Sequence, residues 1–548
     1  MKKTINKALL IIAVMATITG CKDYLDINTD PNNPSIVSIN QLLPAVLTNV
    51  AFSTGNAGGL NGHVATVMHQ TVQRGGLNDY NVQSNDFNIG VTWNSLYSGA
   101  LTDIRQIIAL GTESEDWHYV GIAQINKAYI YSVIVDVWGD VPYFDANLGS
   151  ENPFPGYDGG ADIYADLQLL LDEGIANLAK SSNLSPSTDD FVYGGDLNKW
   201  RKLGKSLKFK LYAQTRLVAN VSSELNALLA ENDMIANADQ DFEFAYGTSQ
   251  SPENRNPGYV QEWAPGGSNY YISPYFFEVM RSIDTFGHGG LNVGPTDPRV
   301  PYYFFNQLPS TAGDSDAQNP CSYCPSTSGN GFLSIYAFSF NIDPNEGFDQ
   351  SSSQSVLGLY PVGGKYDDGA GGLASLNSSL AGQVNGTGTV AQRMLPSFEI
   401  MYLRAELALA GVTSEDPRAM LVNAMDASFA KVNEVANNAG APLIDGAAIT
   451  TYQNAVLAMY DGGSADLQME IIMTQKWIAS FGNALSIYND YRRTGYPRLH
   501  DGNTDALSIT VQGRSFPVSF PYTNGEITTN PNAPAQRVIA TDKVFWDN

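Results

Sequence analysis

From Asn254 to Phe277 the chain reads NRNPGYVQEWAPGGSNYYISPYFF, which places Tyr259, Trp263, Tyr270, Tyr271, Tyr275, Phe276 and Phe277 among Asn254, Arg255, Asn256 and Asn269. Ring faces stack on the C–H surfaces of a neutral carbohydrate, and amides with a guanidinium hydrogen-bond its hydroxyls. A peptide can use the same equipment, and a local core for this stretch would need the same rings. Trp263 is the sharpest candidate. Pro265, Gly266 and Gly267 follow it at once, so no helix continues past it. The indole is therefore expected on a displayed loop, where a ligand is the economical reason for an exposed apolar ring. Tyr259, Tyr270, Asn256 and Arg255 are its supporting candidates. Arg74, Asp79 and Tyr80 form a second, separate loop set.

Other chemistry finds little footing. Gly204-Lys205-Ser206 imitates a phosphate loop, but that motif needs a glycine five positions earlier, where Lys199 stands. The basic residues from Lys199 to Lys210 read as a solvated helix face. His63, His69, His118, His288 and His500 lack ligand spacing, and GxSxG does not occur. A glycosidase needs two positioned carboxylates, and nothing marks out a pair, so a surface glycoside hydrolase is only a remote alternative. Asp501, Asn503 and Asp505 start like a calcium loop, but Ala506 and Gln512 replace its glycine and its closing glutamate. No metal or cofactor is expected. Cys321 and Cys324, in NPCSYCPS, suit a small disulfide closing a loop better than a zinc site, which takes four ligands.

The elements that must position these residues are mostly helices. Ile122, Ile125, Tyr129, Val133 and Val137 recur at spacings of three and four, as do Ile163, Leu167, Leu170, Leu171, Ile175 and Leu178. A third helix carries Trp200, Leu203, Leu207 and Leu211. Trp138, Trp200 and Trp477 lie in such patterns and are expected in the core. From about 240 to 395 helical periodicity fades, and glycine, serine, asparagine and aromatics dominate. So long a loop-rich run points to function. Helices return from about 395 to 500, and a turn-rich tail closes the chain. Residues 38–548 are expected to form one domain, mainly α, with paired helices as scaffold and the 240–395 insert as ligand face.

The 548 residues carry 55 acidic and 30 basic side chains, a net charge of −25. That argues against nucleic acid, which is bound by neutralising phosphates. Lys2, Lys3 and Lys7 precede an apolar run from Ala8 to Ile18, too short to span a bilayer, which takes ~20 residues. It fits a secretory signal ending at residue 20. Ile18-Thr19-Gly20-Cys21 resembles a bacterial lipobox, with Cys21 as the acylated first residue of the mature chain and 21–37 as tether. Lys22-Asp23 looks like the signal that sends lipoproteins to the cell surface in the Bacteroidota.

DINTDPNNP (26–34), DVWGDVPYFDA (136–146), WRKLGKSLKFKLYAQTR (200–216), FEIMYLRAELAL (398–409), QKWIASFGNALSIYNDYRRTGYPRL (475–499) and DKVFWD (542–547) resemble, in order and end to end, the SusD/RagB family of outer-membrane lipoproteins. The resemblance implies a scaffold of tetratricopeptide-like helix pairs with a ligand face on inserted loops. It also implies a non-catalytic lid for a SusC-like TonB-dependent transporter. Such a lid captures an oligosaccharide, or alternatively an oligopeptide, outside the cell.

Overall fold

The computed structural model describes residues 37–547 except 58, 74–79, 81, 264–268, 312–323, 328, 340–352, 373–385 and 505–514. Cys21, Arg74, Asp79, Cys321 and Asp505 lie outside the described residues; Cys324 is disulfide-bonded.

The helices Trp117–Trp138, Gly160–Leu178 and Leu197–Thr215 follow one another in sequence and pack against one another. Their approach is set by small residues. A Cβ on Gly121 would meet the Gly174 carbonyl oxygen at 2.7 Å, and one on Gly204 would meet Ile175 at 2.9 Å. Gly204 is thus a packing residue inside a helix, which disposes of the phosphate-loop resemblance. The basic face of that helix is fully engaged. Lys199 pairs with Asp239, Arg201 and Lys202 with Asp233, Lys205 with Glu231 and Asp233, Lys208 with Asp172, and Lys210 with the buried Glu399. It is a lattice of ion pairs more than a free solvated surface.

A second helical group, Ser397–Leu409, Pro417–Asn438, Gly446–Asp461, Ala465–Ala479 and Ala484–Thr494, completes the mainly helical scaffold. Asp416, Asp445 and Ser464 cap three of these helices by accepting backbone N–H bonds of the first turn. Three sequence-distant motifs converge on Asp136. It accepts from Trp546 Nε1 at 2.9 Å, from Asn489 Nδ2 at 2.6 Å and from the Tyr164 hydroxyl, while its carbonyl accepts from Arg492 Nη2 at 2.6 Å. Beside it, Arg493 is paired with Glu406 and Asp490, and Asp490 with Lys476, all buried. Buried charges persist when paired and hydrogen-bonded, which explains why motifs so rich in charge sit in the interior. Trp138, Trp200 and Trp477 are fully buried as expected.

The segment between the two helical groups is clasped at its ends. Phe242–Phe244 pairs antiparallel with Gln392–Leu395, Phe242 opposite Leu395. Within it the structure is more regular than periodicity suggests. A four-stranded antiparallel sheet runs in the order Thr71–Gln73, Tyr270–Ile272, Val356–Leu357, Phe304–Phe305, and short helices span Pro257–Trp263 and Pro274–Arg281. Strands of two or three residues are too short to show a period of two. The outermost strand comes from the helical body, so the sheet fastens insert to scaffold.

Candidate functional site

The aromatic cluster that sequence assigns to a ligand face is the core of the insert. Trp263 is fully buried as the last residue of the Pro257–Trp263 helix. Its Nε1 donates to the Leu357 carbonyl at 2.9 Å, and its ring lies 5.2 Å from that of Phe305. Gly364 is pressed so closely on the indole that a Cβ there would sit 2.4 Å from it. The expectation of a displayed ring therefore fails. The helix does stop at Trp263, but the indole belongs to its last turn and points inward. Tyr259 is buried with its hydroxyl on the Gly386 carbonyl at 2.6 Å. Tyr270 is a buried strand residue, and Asn256 is buried with Nδ2 on the Val390 carbonyl at 2.9 Å. These three are not available to a ligand. Tyr80 is also buried, between Phe338 and Phe516 at 5.0 and 5.4 Å.

Arg255 is also largely buried, but its remaining surface faces a cavity. It lines a cleft of about 910 Å³ where the insert meets the helical body, a size within the ~300–1,000 Å³ of small-molecule sites. The Ile39–Thr54 helix supplies Thr48 and Phe52, and the connection before Leu197 supplies Phe191. The Phe242–Phe244 strand and its continuation supply Phe244 and Tyr246, and the 253–261 segment supplies Glu253, Asn254, Arg255 and Gln261. The rings form a continuous wall. Phe191 stands edge-on to Phe244 at 6.2 Å, and Phe244 to Tyr246 at 5.2 Å. Phe191 is 48% exposed, with its ring free to receive a ligand.

The polar side is held just as firmly. Arg255 grips Glu253 through two bonds of 2.8 and 2.6 Å, and its guanidinium lies 5.4 Å above the Tyr259 ring. Those hydrogen bonds hold the Glu253 carboxyl below the usual carboxylate range. Asn256 and Tyr259 thus act from behind, fixing the segment that presents Arg255. Asn254 Oδ1 accepts the Ser249 N–H at 2.8 Å. Gln261 Oε1 is buried and has no hydrogen-bond partner among the described residues. Sequence reading missed Phe52, Phe191, Phe244, Tyr246 and Gln261; the alternation in FEFAY (242–246) was the one available signal, that of a strand.

Among the described residues Glu253 is the one carboxylate on the cleft wall, and it is tied to Arg255. The histidines show what spacing conceals. His69, His288 and His500 gather around Tyr275, with His288 and His500 rings 4.1 Å apart and His288 Nδ1 2.8 Å from buried Glu278. Among the described residues no group of histidine, cysteine, aspartate or glutamate has the arrangement of a metal site.

A helical scaffold presents a cleft of rings, amides and one ion pair, an arrangement suited to holding a ligand. Residues 31–522 match the SusD-like family described as "Starch-binding associating with outer membrane", and the chain belongs to that family. Its members are non-catalytic nutrient-binding lids of SusC-type transporters, associated with the outer membrane. Solved structures agree on the fold. A SusD homologue from Bacteroides fragilis is 18% identical with a TM-score of 0.67, over 94% of this chain and 100% of that one. A chitin-binding SusD homologue from Flavobacterium johnsoniae is 18% identical with a TM-score of 0.63, over 93% and 98%. A further chitin-binding protein is 20% identical with a TM-score of 0.67, over 92% and 100%. No curated protein sequence matches.

Proposed function

We propose that this lid captures a neutral oligosaccharide in the 910 Å³ cleft and passes it to a TonB-dependent transporter. The carrying observation is the wall of Phe191, Phe244 and Tyr246 facing Asn254, Arg255 and Gln261. Rings take the C–H faces of sugars, and the amides and guanidinium take their hydroxyls. Among the described residues lining the cleft, the one cation is paired with the one anion, which suits an uncharged ligand. The chitin-binding names of two solved relatives favour a glycan over a peptide.

Titration calorimetry against a panel of oligosaccharides tests this. Phe191 is half-exposed, so Phe191→Ala should leave the melting temperature unchanged and weaken the cognate glycan about tenfold, the equivalent of ~1.4 kcal/mol. A glycan bound equally well by Phe191→Ala and Arg255→Ala would place the site elsewhere. Cleft-dependent binding of oligopeptides alone would change the ligand class.

Cys21 is the proposed anchor, tethering the lid to the outer membrane with its body facing the exterior. Among the described residues no helix is long and apolar enough to cross a membrane, whereas each buried acyl CH₂ contributes ~0.8 kcal/mol of membrane affinity. Cys21→Ala should release folded protein from the membrane fraction of cells lacking the transporter. Continued co-sedimentation there would mean another anchor.

A further inference from the structure

Lys127 lies midway along the Trp117–Trp138 helix. The Thr102–Glu113 helix and the turn at 143–148 close around it to leave a cavity of about 230 Å³. None of the residues lining this cavity lines the larger cleft. Lys127 is partly buried, and among the described residues no ion pair or hydrogen bond engages its ammonium, which is open to water only on the cavity side. Its Nζ stands instead 4.9 Å from the ring centre of Tyr143 and 5.9 Å from that of Tyr131. Ring faces attract a cation through their quadrupole, but they offer the ammonium donors no oxygen acceptor.

The carboxylates that act on Lys127 electrostatically are engaged elsewhere. Asp166 accepts the Tyr143 hydroxyl at 2.5 Å, and Glu173 accepts the Gln124 amide at 3.1 Å. Burial lowers the Lys127 pKa, and Asp166 and Glu173 oppose that only in part. A second cation lines the same cavity. Arg105 gives one N–H to the Asn147 carbonyl at 2.9 Å and has only Glu151 nearby, at 3.9 Å across an exposed contact, a weak pair. Tyr131, Tyr143 and Phe144 line the same cavity, the last 54% exposed.

We propose that this cavity is a second binding site, for a carboxylate carried on a single ring, with a uronate unit as the fitting sugar. The carboxylate would lie between Lys127 and Arg105, and the face of the ring against Phe144. The volume is below the ~300 Å³ at which drug-sized sites begin, which limits the occupant to one such ring. Since the chain as a whole carries −25, attraction of an anion here has to be local, which makes the site selective against diffuse anion adsorption. The proposal does not depend on the assignment of the cleft.

Ligand-observed NMR and calorimetry on the purified protein decide it, with glucuronate against glucose and benzoate against benzamide. At least one acid should bind saturably, with its neutral counterpart tenfold weaker or more. Glucuronate alone would identify a sugar acid, and benzoate alone an aromatic one. Lys127→Met, which keeps the stem and removes the charge, should abolish the acid's advantage. Arg105→Gln, at the more exposed rim, should reduce it at least severalfold and serves if Lys127→Met does not fold. Both variants should keep oligosaccharide binding in the cleft. Equal binding of acid and neutral compound, acid binding indifferent to both substitutions, or no saturable binding in the millimolar range would each overturn the proposal.

Discussion

Trp263→Ala should lower the stability of the protein by about 3–5 kcal/mol, the usual cost of emptying a buried aromatic site, and leave the affinity of the remaining folded protein for its ligand nearly unchanged. The indole is fully buried, in contact with Phe305 and Gly364, and its Nε1 satisfies the Leu357 carbonyl. Truncation removes the packing and leaves that strand carbonyl without its donor, in the centre of the sheet that joins insert to scaffold. Trp263→Phe refills much of the space and should recover a large part of the loss, though not the hydrogen bond. Urea unfolding of both variants, with calorimetric titration under native conditions, separates the two roles. Loss of binding at an unchanged unfolding midpoint would return Trp263 to the ligand face.

The neighbouring Glu262 gives the second large effect. It is fully buried, among the described residues no cation pairs with it, and Oε2 accepts the backbone N–H groups of Asn269 and Tyr270 at 3.0 and 3.2 Å. Burial raises its pKa to about 8, and the two backbone hydrogen bonds only partly oppose the rise. An unfolded glutamate loses its proton near ~4.3. Between these values the folded state holds one proton more than the unfolded state, so stability falls as pH rises. The contribution is fully present below about pH 4.3 and is lost as pH passes about 8. At ~1.36 kcal/mol per unit the whole span is on the order of 5 kcal/mol. Glu262→Gln keeps a carbonyl oxygen for the two N–H donors and cannot ionise. The variant should match the wild type near pH 4.5 and exceed it progressively toward pH 8, while the shared titrations of other groups cancel in the difference. Parallel stability curves for the two proteins would show that Glu262 is not held neutral.

Amino-acid order alone determined a good deal. Helices such as Trp117–Trp138 and Leu197–Thr215 repeat apolar residues every three or four positions because one face must be buried. That signal is local and survives without neighbours. The motifs around Asp136, Glu406 and Arg493 are equally legible, because a buried charged network admits few substitutes for each partner. They carried the resemblance that the family match then established.

The tertiary structure decided the site. Trp263, Tyr259 and Tyr270 have the composition of a sugar platform, but composition does not say which way a ring points. A seven-residue helix and a sheet of two- to three-residue strands turned all three inward. The cleft that faces outward draws Phe52, Phe191, Phe244 and Arg255 from four stretches of chain with no common spacing. Their proximity follows from strand pairing at the base of the insert, Phe242 opposite Leu395. That pairing is a long-range contact stabilised by packing on both sides, and no window of sequence contains it.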